Sequence, residues 1–500
     1  MRRPTFAWPR PQRSGLAGLA VVLVACALVL VASLSGRAVV RSGADTARTA
    51  RSVPVDSTVG VCPEAGSAAP LATAVTFGVP PAAWSTTTGR PGAAVLTALG
   101  SDAPVAQLAG PGRATSVGTL AGTDPRVVRA TGSLAPGFAG QQLSRALTGR
   151  QRGLASTPCA STGNEFWFVG PGAVTGERAR LYLTNPGPVP VVVDVDLYGP
   201  TGPVRAPSVR GLTVAPGAQQ IRLLDAVAPG VGPLGIHVSA RQGRISAAVR
   251  DEKIDGLVPR GYDWAAPVTA PGRRSVVTGV PSGSGTRTLT LLNPGTDDAI
   301  VRLTVIGAQG SFVPQGLDVI DVQAGSVTSV AVEKLVATDG ATLSIDADHP
   351  VTAAVVAAVV PRSATPGELA FAGAAEPVAD GSPGLLPRFP VGAKGTTRLS
   401  LASVGGEVRL DLVPLGPDGP VRPVPVVVAA GALLLVDPFV GQGPGVTAVA
   451  VVVREGSEPV YAAAVVRETL ADGEVLTVLP VSPGVQTLDI PELRPGLVLD

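Results

Sequence analysis

The residues of this chain that could do chemistry are few and widely separated. His237 and His349 are its only two histidines and lie 112 positions apart. A Ser-His-Asp relay needs its base within hydrogen-bond reach of the nucleophile, and a histidine-rich metal centre needs clustered ligands, so the spacing supports neither. His237 alternates with Ile236 and Val238, as on the polar face of a strand, and His349-Pro350 reads as a turn. Asp194 with Asp196, and Asp346 with Asp348, place two carboxylates on one face of a strand, while Asp297-Asp298 sits in a turn. Glycoside hydrolysis uses paired carboxylates, but across a cleft with platforms for sugar rings. With 17 aromatic residues among 500, the pairs read as solvated strand faces and a lectin reading is weakened too. There is no phosphate-binding glycine loop and no calcium loop; Gly283-Ser-Gly285 is turn material. No catalytic residue, cofactor or metal is expected, and the chain is read as not an enzyme. The one candidate binding surface is Tyr262-Asp263-Trp264, because large aromatics are enriched in interfaces. The competing reading is a last-strand or interdomain anchor, since the corresponding Ala370-Phe371 and Leu476-Thr477 are also partly apolar.

Three cysteines complete the reactive inventory. Cys26 lies in an apolar run, whereas Cys62 and Cys159 flank a stretch with no other thiol and are expected to pair; two unrelated buried thiols are the rival reading. Closing so long a loop restricts the unfolded chain by about 4 to 5 kcal/mol in the entropic account.

The elements that must position these residues begin with Leu16–Leu34, 19 residues without a charge, which as a helix span roughly 28 Å, close to the thickness of a bilayer core. Arg2, Arg3, Arg10 and Arg13 precede it and Arg37, Arg41, Arg48 and Arg51 follow, so flanking charge does not orient it. The short N-terminal tail has nothing to fold, and the cysteine pair wants an oxidising side. An uncleaved anchor with the N-terminus cytoplasmic is therefore expected: tail 1–14, transmembrane helix 15–35, polar linker 36–56. Two alternatives are cleavage near Ser33, Ser35, Gly36 and Ala38, and lipidation at Leu23-Val24-Ala25-Cys26, although the apolar run continues past Cys26. All three put the remainder outside.

Composition agrees. Residues 1–51 carry eight Arg against Asp45, so the net charge of +2 conceals 31 basic and 36 acidic side chains, a net −5, over 52–500. Without basic clusters, nucleic acid is excluded as a partner. The 62 Gly and 49 Pro amid 45% apolar residues favour many short strands and turns.

Repetition sets the organisation. Leu181-Tyr-Leu-Thr-Asn-Pro-Gly187 recurs as Leu289-Thr-Leu-Leu-Asn-Pro-Gly295, Val214-Ala-Pro-Gly-Ala218 as Val322-Gln-Ala-Gly-Ser326, and Ile245-Ser-Ala-Ala-Val249 as Val351-Thr-Ala-Ala-Val355. A weaker copy has Leu399-Ser-Leu-Ala-Ser-Val-Gly405, Leu415-Gly-Pro-Asp-Gly-Pro-Val-Arg422, Val428-Ala-Ala-Gly-Ala432 and Ala462-Ala-Ala-Val465. The expected fold is all-β: β-sandwich repeats at 164–270, 271–383 and 384–486, a divergent β domain with the disulfide at 57–163, and a tail at 487–500. A helical turn around Gln141 to Thr148 is expected in the divergent domain. In Asn-Pro-Gly, Asn bonds the following backbone, Pro fixes φ and Gly takes positive φ.

These residues, with the paired cysteines, Glu165-Phe-Trp-Phe-Val-Gly170 and Gly261-Tyr-Asp-Trp264, make the chain resemble an uncharacterised actinobacterial family of membrane-anchored secreted proteins, a domain of unknown function. The Asn-Pro-Gly strand pair is similar to bacterial surface immunoglobulin-like modules. The resemblance implies tandem immunoglobulin-like sandwiches outside a cell membrane and transfers no catalytic residue. The expected function is a non-catalytic, membrane-tethered extracytoplasmic envelope protein, a rod of sandwiches scaffolding envelope proteins or cell-wall polysaccharide; the alternative is a cell-wall glycan-binding or glycan-modifying factor. A β-propeller is the competing architecture. Mass spectrometry of unreduced tryptic peptides is expected to recover Cys62 linked to Cys159, and free thiols at both positions would end the pairing.

Overall fold

The computed structural model describes residues 51–490 apart from 65–70, 85–88, 119, 121–123, 337, 360–364, 390 and 482. The expected anchor and the tail before it lie outside the described residues, as do Cys26 and residues 491–500. Among the described residues no helix is long and apolar enough to cross a membrane, and the only α-helical segment is Leu224–Val227. The rest is strand and turn.

One strand order occurs four times. In the second module, residues 165–265, one sheet orders Glu165–Val169, Gly235–Gln242 and Val191–Gly199, extended by Gly202–Val204 and Leu212–Val214. The facing sheet orders Ala218–Leu223, Arg180–Asn185, Ser246–Asp255 and Val258–Ala265. Alternation drives this: Val191, Val193, Val195 and Leu197 point inward with Leu181, Leu183, Val238 and Val249, while Asp194 and Asp196 point outward. Each pair of sheets encloses an apolar core, consistent with β-sandwich domains.

The first module, 57–161, repeats the order with Ser57–Cys62, Arg126–Thr131, Ala94–Ala98 and Pro104–Leu108 against Arg113–Val117, Leu71–Val79, Ala139–Ala146 and Gly153–Pro158. The fourth, 384–480, sets Gly384–Pro387, Ala448–Val453 and Val408–Gly416 against Leu433–Val436, Gly395–Ala402, Tyr461–Leu470 and Gly473–Pro480. In the third, 272–373, the fifth and sixth strands fuse into Ala341–Val359, which pairs first with Gly272–Val280 and Ala299–Gly307 and then with Thr286–Asn293 and Glu368–Gly373. His349-Pro350 is therefore not a turn. It lies inside this strand between the two ladders, the unpaired stretch where a residue without an N–H is tolerated.

Counting main strands, the first, third and fifth lie in one sheet and the second, fourth, sixth and seventh in the other. An immunoglobulin sandwich keeps its first two strands side by side, so the order here differs from that arrangement. The helical turn expected near Gln141 is instead the strand Ala139–Ala146, paired on both edges. Its good helix formers are overridden by tertiary bonds: Gln141 Nε2 donates to the Leu385 carbonyl at 2.8 Å, and the Ser144 and Thr73 hydroxyls meet at 3.1 Å. The Cys62–Cys159 disulfide is present and packs in the first core.

The modules do not form a rod. Within the unit 54–488 they close on one another. First meets second through Arg129 to the Pro186 carbonyl at 2.9 Å, and second meets third where Val356, Leu369 and Phe371 enter the second core. Third meets fourth through Arg467 to the Ser282 carbonyl at 2.6 Å. Fourth meets first through Arg152 to Asp472 at 2.7 and 2.8 Å and Arg145 to Glu468. Among the described residues each repeat contributes two facing sheets and not one blade-like sheet, so the propeller architecture is not found.

The Asn-Pro-Gly turn works differently from its reading in sequence. Neither Gly187 nor Gly295 takes positive φ. Asn185, fully buried, accepts the Gly187 N–H at 2.9 Å and donates to the carbonyls of Val189 at 2.7 Å and Val214 at 3.1 Å. Asn293 repeats this with Gly295, Asp297 and Val322. Glycine suits the position because a Cβ at 187 would crowd the Asn185 oxygen at 3.2 Å. Asn185→Ala strands the buried Val214 carbonyl and unties the Val189 carbonyl and the Gly187 N–H, and urea denaturation is expected to show a loss of about 2 kcal/mol.

Candidate functional site

Tyr262, Asp263 and Trp264 lie on the last strand of the second module at 0%, 0% and 1% exposure. They present no surface, which corrects the binding reading. They are buried because four last strands converge here. Gly261 makes the approach possible: its φ is +109°, and a Cβ on it would come within 2.3 Å of the Leu369 nitrogen on the third module's last strand. Asp263 is the polar centre of the convergence. Its carboxylate accepts N–H bonds from Trp264 at 2.8 Å and from Ser156 of the first module at 3.1 Å. It also accepts the Thr477 hydroxyl of the fourth module at 3.0 Å and the backbone N–H of Phe371 in the third. One side chain thus bonds all four modules.

Burial pushes the Asp263 carboxyl well above the usual carboxylate range, and the donors from Trp264, Thr477, Ser156 and Phe371 pull the other way. Glu368, equally buried, is raised for the same reason, opposed by the Leu369 N–H and by Arg152 and compounded by Asp263. Asp251 is pushed up to about 7 by burial, against the pull of Lys253.

The outward face of each module's second strand meets the preceding module, leaving grooves at corresponding places. Between third and fourth modules the groove of about 330 Å³ is lined by Arg398, Ser400 and Arg467. Between second and third, about 220 Å³ is lined by Thr288, Thr290 and Val356, beside the Lys253–Glu177 ion pair. Between first and second the groove is about 470 Å³ and is richer in charge, with Arg150, Arg178, Arg180 and Arg250 beside Glu64, Glu252 and Tyr182. Arg150 donates to Glu252 at 2.9 and 3.1 Å, and Arg180 reaches the other Glu252 oxygen at 3.3 Å, so this carboxylate clamps the two modules. Arg250 lies 5.4 Å from the ring centres of both Tyr182 and Trp264. The Tyr-Asp-Trp segment is thus the support beneath this groove. Burial raises Glu64 despite Arg250 and Arg180 nearby. These groups suit holding an anion, since guanidinium matches carboxylate and phosphate forks.

The remaining sequence candidates are not brought together. Asp194 pairs with Arg241 and accepts the Gly211 N–H at 2.8 Å; Arg241 holds its carboxyl below the usual range. Asp196 pairs with Arg210. His237 stacks on Trp167 at 3.9 Å, with Nε2 3.2 Å from Glu165, and burial lowers its pKa. Asp346 bonds Arg274 at 2.9 Å and Asp348 accepts the Ile300 N–H at 2.7 Å. The groove arginines were missed by looking for catalytic types. Comparing repeats position by position would have found them: Arg180 and Tyr182 stand where the others have Thr288 and Thr290, or Arg398 and Ser400.

Comparison with known proteins places a family model, Family of unknown function (DUF5719), on residues 114–438. No curated protein matches. Among solved structures, the crystal structure of a tetra-tandem repeat in the extending region of a large adhesion protein is 15% identical, covers 79% of this chain and 92% of that chain, and has a TM-score of 0.11, so the likeness carries no weight.

Two outcomes are expected. Asp263→Ala takes the carboxylate acceptor from the Trp264 and Phe371 N–H groups and the Thr477 hydroxyl and leaves the Ser156 N–H only the Thr477 oxygen, lowering stability by about 3 kcal/mol or more in chemical denaturation. For Asp251, the folded value lies above the unfolded one near 4, so the folded chain holds the proton more tightly. Its contribution is complete below about pH 4 and is lost as pH rises to about 7. Denaturation midpoints are expected to fall between about pH 4 and about pH 7, less so in Asp251→Asn.

Proposed function

The chain belongs to DUF5719, a family of unknown function, and we propose from its own geometry that it is a rigid, non-catalytic platform held outside a membrane. The observation that carries this reading is the Asp263 carboxylate, whose bonds to Ser156, Thr477 and Phe371 spend a buried acid on joining modules. A side chain so used supports rigidity, as the bonds could not be made by modules that move independently. Extracytoplasmic placement is supported by the Cys62–Cys159 disulfide, a bond that persists in oxidising compartments, and by the uncharged stretch Leu16–Leu34. The platform's role is scaffolding or accessory, through contacts with other envelope components.

Protease added to intact cells carrying a C-terminally tagged chain is expected to remove the tag, while the chain resists alkaline extraction from membranes. A tag protected until lysis would overturn the placement outside.

A further inference from the structure

We propose that the groove between the first and second modules binds an acidic saccharide segment, a sugar chain bearing carboxylates, with Arg178 as its principal anion contact. The reasoning is independent of where the chain is anchored. Three grooves occupy corresponding places, which makes the molecule its own control. The groove between second and third modules presents Thr288, Thr290 and Val356 beside a paired lysine and glutamate, and the one between third and fourth presents two arginines, of which Arg467 is bonded to Glu474 and the Ser282 carbonyl. The groove between first and second gathers four arginines against two glutamates, although residues 52–500 carry a net −5. A locally positive groove on an acidic body selects negative charge.

The lining also contains unused capacity. Arg150 and Arg180 are occupied by Glu252, but Arg178, half-buried, makes no side-chain hydrogen bond or ion pair among the described residues. The Tyr182 hydroxyl is buried and has no partner among the described residues. An orphan hydroxyl beside a half-buried guanidinium is a site that something else completes. Volume and chemistry then narrow the ligand. About 470 Å³ falls within the range of small-ligand pockets. Sugar hydroxyls both donate and accept, and the lining offers arginine donors, glutamate acceptors and Gln151, which does both. Ile221 and Leu223, exposed at 36% and 47%, supply the apolar floor that a pyranose C–H face covers.

The test uses the full chain in detergent micelles with three probes of equal length: tetragalacturonate, maltotetraose and tetraglutamate, with binding followed by calorimetry. Tetragalacturonate is expected to bind, with affinity falling as salt rises, and maltotetraose and tetraglutamate to bind at least tenfold more weakly. Arg178→Ala and Tyr182→Phe are expected to weaken tetragalacturonate by about tenfold without moving the melting temperature, because neither group is used within the fold. Arg398→Ala, in the third groove, is expected to change nothing. Absence of tetragalacturonate binding overturns the proposal. So does equal binding of tetraglutamate, which would make the site one for an acidic peptide, and so does equal weakening by Arg398→Ala.

Discussion

The carboxylate of Asp263 sits where the last strands of four modules converge, and its acceptor capacity is divided among them. Taking a carboxylate out of water is costly, and the cost is offset only when its lone pairs are filled by well-placed donors. Those donors come from Ser156, Thr477 and Phe371, in modules separated along the chain, so the acid is satisfied only if all modules are in place. That requirement couples them. The ion pairs farther out, Arg145 with Glu468 and Arg152 with Asp472, then bring the first module against the fourth.

The strand order within a module prepares this convergence. Because the first six main strands alternate between sheets, their connections cross from one face of the core to the other, and the seventh is left at the edge of its sheet. In each module that edge strand faces the others: Gly153–Pro158, Val258–Ala265, Glu368–Gly373 and Gly473–Pro480. Sheet edges carry unpaired backbone groups and invite pairing with other chains. Here the edges are buried against one another, with Gly261 allowing the closest approach. The grooves are the residual spaces of the same packing, and they differ in the side chains that the second strand, its neighbours and the preceding module project into each.

Much of the fold was legible in sequence. Alternating valines and leucines declared strands, the recurring Asn-Pro-Gly gave the period, and two isolated cysteines gave the disulfide. The errors have physical causes. His349-Pro350 looked like a turn because proline usually ends a strand, but proline also fits where a strand changes ladders. Gln141 to Thr148 looked helical because propensity is local, while Gln141 and Ser144 bond to strands far along the chain. Glycine in Asn-Pro-Gly was credited with positive φ, when its place is beside a buried asparagine oxygen that a Cβ would crowd.

The sequence by itself determined that the chain is built from repeats of strands, and that Tyr262-Asp263-Trp264 stands at corresponding positions to Ala370-Phe371 and Leu476-Thr477. Each of these is a matter of local pattern or internal likeness. Only the tertiary structure decided that the repeats close on themselves, that the aromatic segment is their buried centre, and that Arg150, Arg178, Arg180 and Arg250 share one groove. Those facts depend on which distant donors and charges meet. A carboxylate in a sequence does not reveal whether water or four strand ends will surround it.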